Sequence, residues 1–108
     1  MPRATRAADG ISVSTARVAL GMVELHLPDV DSLKGKRHVL KGLKQRVRAR
    51  FECSVAEVDH QDSWQRATLA VAYVSGDARH ANEVVSKAMD FIEDHVEGRV
   101  LETFLEIL

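Results

Sequence analysis

Six side chains in the first two thirds of the chain are of types that bind divalent metals or transfer protons. Carboxylates and imidazoles are common ligands for such ions, but the sequence contains neither an HxxxH nor an HExxH pattern. A metal site is therefore the lesser alternative, and a solvated turn is favoured, with Arg66 expected to pair with Glu57 or Asp59 across the hairpin. The six are Glu24, His26, Glu57, Asp59, His60 and Asp62.

Cys53 is the only cysteine, so the chain has no intramolecular disulfide and no multi-cysteine metal site. A lone cysteine before a strand is typical of a small buried side chain. No motif pairs a serine or cysteine nucleophile with a base. These residues give no support for covalent catalysis, and no cofactor is expected.

The strongest chemical signal is a basic stretch, Ser32–Arg50, which holds eight of the fifteen Lys and Arg residues and no acid. Apolar residues within it recur at three- and four-residue steps, which predicts a helix lying on a core. At ~3.6 residues per turn, five of the cations fall within less than a quarter turn beside the apolar stripe. These five are Lys34, Arg37, Lys41, Lys44 and Arg48.

Three interpretations of this row remain open: a solvated face neutralised by acids of the second helix, a polyanion-binding surface, and a surface for an acidic protein. From Asp77 to Leu108 there are eight acids against three bases, so the domain is expected to be electrostatically two-sided. Tyr73 and Trp64 are the only aromatic candidates for stacking on bases. Recognition of a nucleic acid would therefore rest on its shape and backbone.

The elements that position these residues follow the order β-α-β-β-α-β. Right-handed crossovers then give an α+β ferredoxin-like fold, a four-stranded antiparallel sheet with two helices on one face. Ser32, or Asp31, is expected to cap the first helix and Asp77 the second, with Gly98 just beyond its end. The predicted elements are strand Arg17–Leu27, the basic helix to about Phe51, strand Ser54–Asp59, strand Arg66–Val74, a helix from Asp77 to about Val96, and strand Val100–Ile107.

The length of 108 residues allows one folded domain, predicted at 16–108, after a disordered tail at 1–15. In the first strand, Val23, Leu25 and Leu27 are expected to face the core. The opposite sheet face lacks helices, so we expect it to pair with a second copy. This predicted homodimer interface comprises Leu20, Met22, Trp64, Ala70 and Ala72, with Trp64 as an anchor of the core or interface rather than a ligand platform.

Some βαββαβ proteins hydrolyse acyl phosphates with an Arg in a Gly-rich loop after the first strand and an Asn further along. Here that loop, Pro28–Asp31, has neither Gly nor Arg and carries two acids that repel phosphate. The one asparagine, Asn82, falls on the second helix. The sequence therefore predicts a protein without catalytic residues.

Three blocks of sequence resemble the YlxP-like family, small bacterial proteins of unknown function. They are Ser32-Leu33-Lys34 with Lys36-Arg37, Phe51 followed by Ser54-Val55-Ala56-Glu57-Val58, and Trp64-Gln65-Arg66-Ala67. The resemblance covers about Val18 to Val96 and implies a ferredoxin-like fold. It also implies a role near ribosomal RNA, because the genes of the family tend to lie beside those for transcription-termination, translation-initiation and ribosome-maturation factors. It implies no catalytic residues.

The sequence predicts a cytoplasmic location, since no apolar run approaches the ~20 residues of a membrane span and no secretory signal is present near the start. The predicted function is accessory binding of RNA or the ribosome through the five cations. The alternative is a homodimeric interaction module that uses the open sheet face and has no nucleic-acid role. No membrane partner is expected.

Overall fold

Two helices cover one face of a four-stranded antiparallel sheet in the computed structural model, which describes residues 12–108. The strand order is β2-β3-β1-β4, which confirms the predicted ferredoxin-like arrangement. A 3-10 turn at Val13–Thr15 precedes the sheet. The elements are β1 Arg17–His26, α1 Leu33–Phe51, β2 Ser54–Asp59, β3 Arg66–Ser75, α2 Ala78–His95 and β4 Arg99–Ile107.

The predicted tail falls mostly on residues 1–11, which lie outside the described residues. Its last part is ordered as the 3-10 turn, in which the Ser12 side chain accepts a hydrogen bond from the Ser14 backbone N–H at 3.3 Å. The domain boundary at residue 16 stays a prediction.

β1 is a central strand of the sheet, paired with both β3 and β4. Its odd-numbered residues face the helices, and Val23 and Leu25 are fully buried there. Leu27, just past the strand, is buried with them. Even-numbered residues point to the face that the helices leave open, which we call the open face, and are half-buried. Strand alternation therefore assigns each residue of β1 to one of two surfaces with different roles.

Both helices begin at the predicted caps. The Ser32 hydroxyl accepts a hydrogen bond from the Gly35 N–H at 2.9 Å, and the Asp77 carboxylate accepts one from the Arg79 N–H at 2.9 Å. These contacts satisfy donors that a helix start leaves free. The end of α1 carries Glu52 in the left-handed region at φ 53°, with its N–H bonded to the Arg48 carbonyl.

Gly98 serves a different purpose from the helix cap that the sequence suggests. α2 ends with Val96 in an extended conformation, whose N–H is bonded to the Ile92 carbonyl. A Cβ atom on Gly98 would overlap the His26 carbonyl oxygen, which is backbone and cannot swing aside. Glycine is therefore required at the start of β4 because two backbone segments touch.

The core lies between the sheet and the helices. It includes Leu40 and Leu43 of α1, Leu69 of β3 and Ile92 of α2, each at most 2% exposed. Cys53 is buried beside them as predicted, and burial raises the pKa of its thiol, so the side chain is held in its neutral form. Among residues 12–108, no helix has both the length and the apolar composition to cross a membrane.

Two glycine substitutions test this account of the backbone. Gly42 lies inside α1, and a Cβ atom added there would have no neighbouring atom within 4 Å. We expect Gly42→Ala to raise the free energy of unfolding by about 1 kcal/mol, because alanine loses less backbone entropy in a helix. Gly98→Ala should instead lower it, because the new methyl group collides with the His26 carbonyl. Urea unfolding of both variants measures the difference, and a stabilising Gly98→Ala would contradict the close contact.

Candidate functional site

The five predicted cations form a continuous row on α1, which we call the cationic stripe. Lys34, Arg37, Lys41 and Arg48 are exposed, and Lys44 is half-buried. The buried face of the helix is formed by Lys36, Leu40, Leu43 and Val47. Because the stripe flanks this face, the packing of α1 holds its backbone in place while leaving most of its charge in water.

The stripe borders the edge strand β2. An Arg48 guanidinium nitrogen donates to the Val55 carbonyl of β2 at 2.5 Å. The opposite flank of α1, with Gln45 and Arg46, lines a groove against His95 and Glu97 at the end of α2. The stripe and α2 therefore lie on opposite sides of α1.

This placement bears on whether acids of the second helix neutralise the stripe. Within residues 12–108, no carboxylate lies within 4.0 Å of the charged nitrogen of any of the five cations. The end of α2 lies against the other flank of α1, where the two helices form this groove. Within residues 12–108 the five cations of the stripe therefore form no salt bridge.

Lys36 is the one cation of the basic stretch that the structure removes from water, and sequence reasoning missed it. Helical periodicity places it with Arg46 and Arg50, on the other side of the apolar face from the stripe, yet it is only 1% exposed. Its ammonium donates to the His60 and Ser63 carbonyls, each at 2.6 Å. A carboxylate oxygen of Glu57 lies 2.7 Å from the Lys36 ammonium nitrogen. The two form an ion pair, although the angle is not that of a hydrogen bond.

The connection between β2 and β3 is held in place by these contacts and by the residues around them. The Gln65 side-chain amide donates to the Pro28 and Val30 carbonyls at 3.1 and 3.2 Å, and the Gln65 carbonyl accepts from the Leu27 N–H at 2.8 Å. The Ser63 hydroxyl accepts from the Arg66 N–H at 3.1 Å. The segment His60–Gln65 is therefore held to α1 and to the loop after β1.

The predicted pairing of Arg66 with Glu57 or Asp59 is wrong. Glu57 points to the helix side, toward Lys36, whereas Arg66 points to the open face and pairs there with Glu24. Asp59 lies beyond an irregularity in the pairing of β2 with β3 and accepts a hydrogen bond from the His60 N–H at 2.7 Å. Because side chains alternate between the two faces of a sheet, Glu57 and Arg66 lie on opposite sides of it and cannot pair.

Glu24 is the centre of the polar cluster on the open face. The His60 ring nitrogen lies 3.0 Å from the carboxylate oxygen that Arg66 also contacts. The hydrogen bond from Arg66 holds the pKa of Glu24 below its usual value, and His60 lowers it further. Of the six candidate metal ligands, only Glu24 and His60 take part in this contact, and His26, Glu57, Asp59 and Asp62 do not. Among residues 12–108, no three His, Cys, Asp or Glu side chains are grouped to hold a metal ion.

Four of the five predicted interface residues meet on the open face. Leu20 pairs with Ala72 and Met22 with Ala70 across β1 and β3. On the outer side of Met22 lies Phe104 of β4, which is 56% exposed and which sequence reasoning missed. The alternation of side chains along β4 could have indicated that Phe104 lies on the open face. The pairing of β4 with β1 shifts at Glu24 and Leu25.

The two aromatic residues that the sequence suggests for base stacking lie in different parts of the structure. Tyr73 faces the helices, packed against the core, so it is not available on the open face. Trp64 lies on the β2–β3 connection, separate from the paired interface residues, and is 53% exposed. It is therefore not an anchor of the core.

Comparisons with known proteins agree with the resemblance found in the sequence. A family model described as "Protein of unknown function (DUF503)" matches residues 18–104. The chain is also similar to the uncharacterized protein YlxP of Bacillus subtilis (strain 168), at 36% identity over 69 residues, which are 64% of this chain and 75% of that protein. Neither description names an activity, so a function must be argued from the surfaces described above.

Replacing Lys36 tests whether the buried ammonium holds the fold together. Lys36→Met keeps the length of the side chain but leaves Glu57 and two carbonyls without their partner, so we expect unfolding to become easier by about 3 kcal/mol. Lys41→Met, which removes the same charge from an exposed position, should change stability by at most about 0.5 kcal/mol. Urea unfolding compares the two, and equal effects would show that the Lys36 contacts contribute little.

Proposed function

The chain belongs to the DUF503 family of proteins of unknown function, and from that premise we propose that it binds RNA through the cationic stripe, as an accessory protein without catalysis. The observation that carries the proposal is a row of five cations with no carboxylate in salt-bridge contact among residues 12–108. Ribosomal RNA is the RNA that we expect, because the resemblance to the YlxP-like family implies a role near it.

The dimensions of the stripe suit a phosphate backbone. From Lys34 to Arg48 the helix rises roughly 21 Å, and successive cations are about 4.5 to 6 Å apart along its axis. A nucleic acid presents a continuous row of like charges, and each contact releases a condensed counterion. Mutual repulsion among the cations is relieved when such a row binds. An acidic protein segment would have to supply an equally long and uniform row.

The rest of the surface favours one orientation of the RNA. α2 and β4 carry exposed acids that include Asp90, Glu93, Glu102 and Glu106, and the last two lie on the open face, across the sheet from the helices. These repel phosphate, so an approaching polyanion is directed to the β2 side of α1. Contacts from Lys and Arg to phosphate set position rather than read bases. The stripe would therefore bind with little sequence preference.

The salt dependence of binding tests this proposal. Five contacts predict that the logarithm of the association constant falls with the logarithm of salt concentration with a slope of about −3.5 for a single strand. The variant Lys34→Gln/Arg37→Gln/Lys41→Gln should reduce the magnitude of the slope by about 2. Fluorescence anisotropy of a short labelled RNA, measured over a series of KCl concentrations, gives both values.

The matched control removes the same charge from the other side of the domain. Arg79→Gln/Lys87→Gln/Arg99→Gln changes three bases outside the stripe, and its slope should equal that of the unaltered protein. If the two triple variants lose affinity equally, binding depends on total charge and the stripe is not the site. If the unaltered protein does not bind RNA at low salt, the proposal is wrong.

The open face supports a second candidate function, association with a second copy of the chain. One row across the sheet reads Ala56, Ala70, Met22 and Phe104, two small side chains followed by two large ones. A two-fold axis parallel to the strands, midway between β1 and β3, sets β1 of one copy over β3 of the other and β4 over β2. Met22 and Phe104 then lie over the second copy's small residues, so the row is complementary to itself.

The area of the open face is sufficient for such a dimer. Four strands about 4.8 Å apart and about nine residues long at ~3.3 Å per residue give a face of roughly 19 by 30 Å. Two such faces in contact remove about 1,100 Å² from water, which exceeds the roughly 1,000 Å² expected of a specific interface. The acids Glu24 and Glu102 near this row make the face unsuitable for RNA, which leaves a protein surface as its partner.

A single charged substitution on the open face tests dimer formation without changing the cationic stripe. Ala70→Arg places a long cation where the large Met22 side chain of the second copy would lie, and in a monomer it extends into solvent. Light scattering should give twice the chain mass of 12.0 kDa for the unaltered protein and the single-chain mass for Ala70→Arg. Ala49→Arg, the same change at an exposed position of α1, should remain dimeric. An unaltered protein that is monomeric at high concentration would exclude the dimer.

A further inference from the structure

Trp64 is an exposed aromatic side chain that neither the core nor the row of open-face residues accounts for. It is the only tryptophan in the chain and is 53% exposed. A tryptophan in water leaves a large apolar surface unburied, which is unfavourable unless something covers it. Its position on the β2–β3 connection therefore points to a partner.

The backbone on both sides of Trp64 is fixed by hydrogen bonds. Before it, the Ser63 carbonyl accepts from the buried Lys36 ammonium at 2.6 Å, and the Ser63 N–H donates to the His60 carbonyl at 2.9 Å. After it, Gln65 is bonded to Pro28, Val30 and Leu27. The loop therefore presents the indole from a preorganised position, which reduces the entropy lost when a partner binds.

The same contacts place Trp64 at one end of the cationic stripe. Lys36, which holds Ser63, is the residue before Arg37 and two residues after Lys34, the first two cations of the stripe. The loop itself contributes no Lys or Arg and carries the acid Asp62. A nucleic acid that follows the stripe to this end would therefore meet a surface that accepts a neutral base rather than a phosphate.

We propose that Trp64 stacks on an unpaired base of the RNA held by the stripe, a contact that single-stranded RNA offers and a duplex does not. This inference rests on the proposed RNA-binding function and specifies its ligand. An unpaired base has a free face for an aromatic ring, whereas the bases of a duplex are stacked on one another. The stripe holds the phosphates and Trp64 holds one base beyond its N-terminal end.

The single tryptophan makes the contact directly measurable. In a titration with an unlabelled short single-stranded RNA, tryptophan emission should be quenched over the same concentrations at which anisotropy of a labelled copy reports binding. A duplex of the same sequence should bind without quenching. All tryptophan emission comes from one residue, so no other site contributes to the signal.

Two substitutions separate stacking from structural effects. Trp64→Leu, which keeps an apolar side chain without a ring, should weaken single-strand binding about five- to 150-fold, the loss expected for one stacked base. Its salt slope should be unchanged, because stacking involves no counterions. Trp64→Phe restores a ring and should recover most of the affinity. Duplex affinity should change by less than about twofold in both variants.

The outcomes distinguish this inference from the proposal on which it rests. Single-strand binding without quenching, or an unchanged affinity in Trp64→Leu, would refute stacking and leave the stripe proposal intact. Equal losses of single-strand and duplex affinity in Trp64→Leu would also refute it, because they would indicate a general disturbance of the site. No binding of either RNA to the unaltered protein at low salt would refute both.

Discussion

The buried ammonium of Lys36 is the contact on which the arrangement of the surface depends. It joins α1 to Glu57 of β2 and to two carbonyls of the β2–β3 connection, so that a helix, a strand and a loop meet at one charged atom. A buried cation is tolerated only where acceptors replace its water, and here three oxygen atoms do so. Replacing it with an apolar residue of equal size would require different partners at all three positions. The contact thereby fixes both the rotation of α1 and the path of the loop.

The rotation of α1 determines which of its cations remain in water. With Lys36, Leu40, Leu43 and Val47 facing inward, the five cations of the stripe must lie on one flank. The Arg48 contact with β2 then places that flank beside the edge strand, whereas the end of α2 lines a groove on the other flank. The segregation of charge along the sequence becomes a segregation in space because the two helices lie side by side on one face of the sheet. The electrostatic polarity is thus a consequence of packing as much as of composition.

The element order, the two helix caps and the exposed positions of the stripe could be predicted, because each depends on local spacing. The alternation of β1 and the apolar periodicity of α1 each extend over many residues, so one unusual residue does not change the prediction of a strand or a helix. The partner of Arg66, the burial of Lys36 and the role of Gly98 could not be predicted, because each depends on which segments meet across the fold. Lys36 lies at the centre of the apolar face of α1, at the same rotation as Val47. That position could have indicated that Lys36 is buried. A charged residue there, however, looks like a break in the apolar face rather than a part of it.

The two proposed binding surfaces are compatible in one assembly. The stripe lies on the helix side, at the β2 edge, whereas the row of Ala56, Ala70, Met22 and Phe104 lies on the open face. In the proposed two-fold arrangement the sheets meet in the middle and the helices of both copies face outward, so neither stripe is covered. The β2 strands of the two copies then lie at opposite edges, with the stripes on opposite outer surfaces. A continuous single strand would have to pass around an edge of the dimer to reach both stripes, so each copy would bind its own stretch of RNA. Formation of the dimer would therefore add a second, independent binding site without strengthening the first.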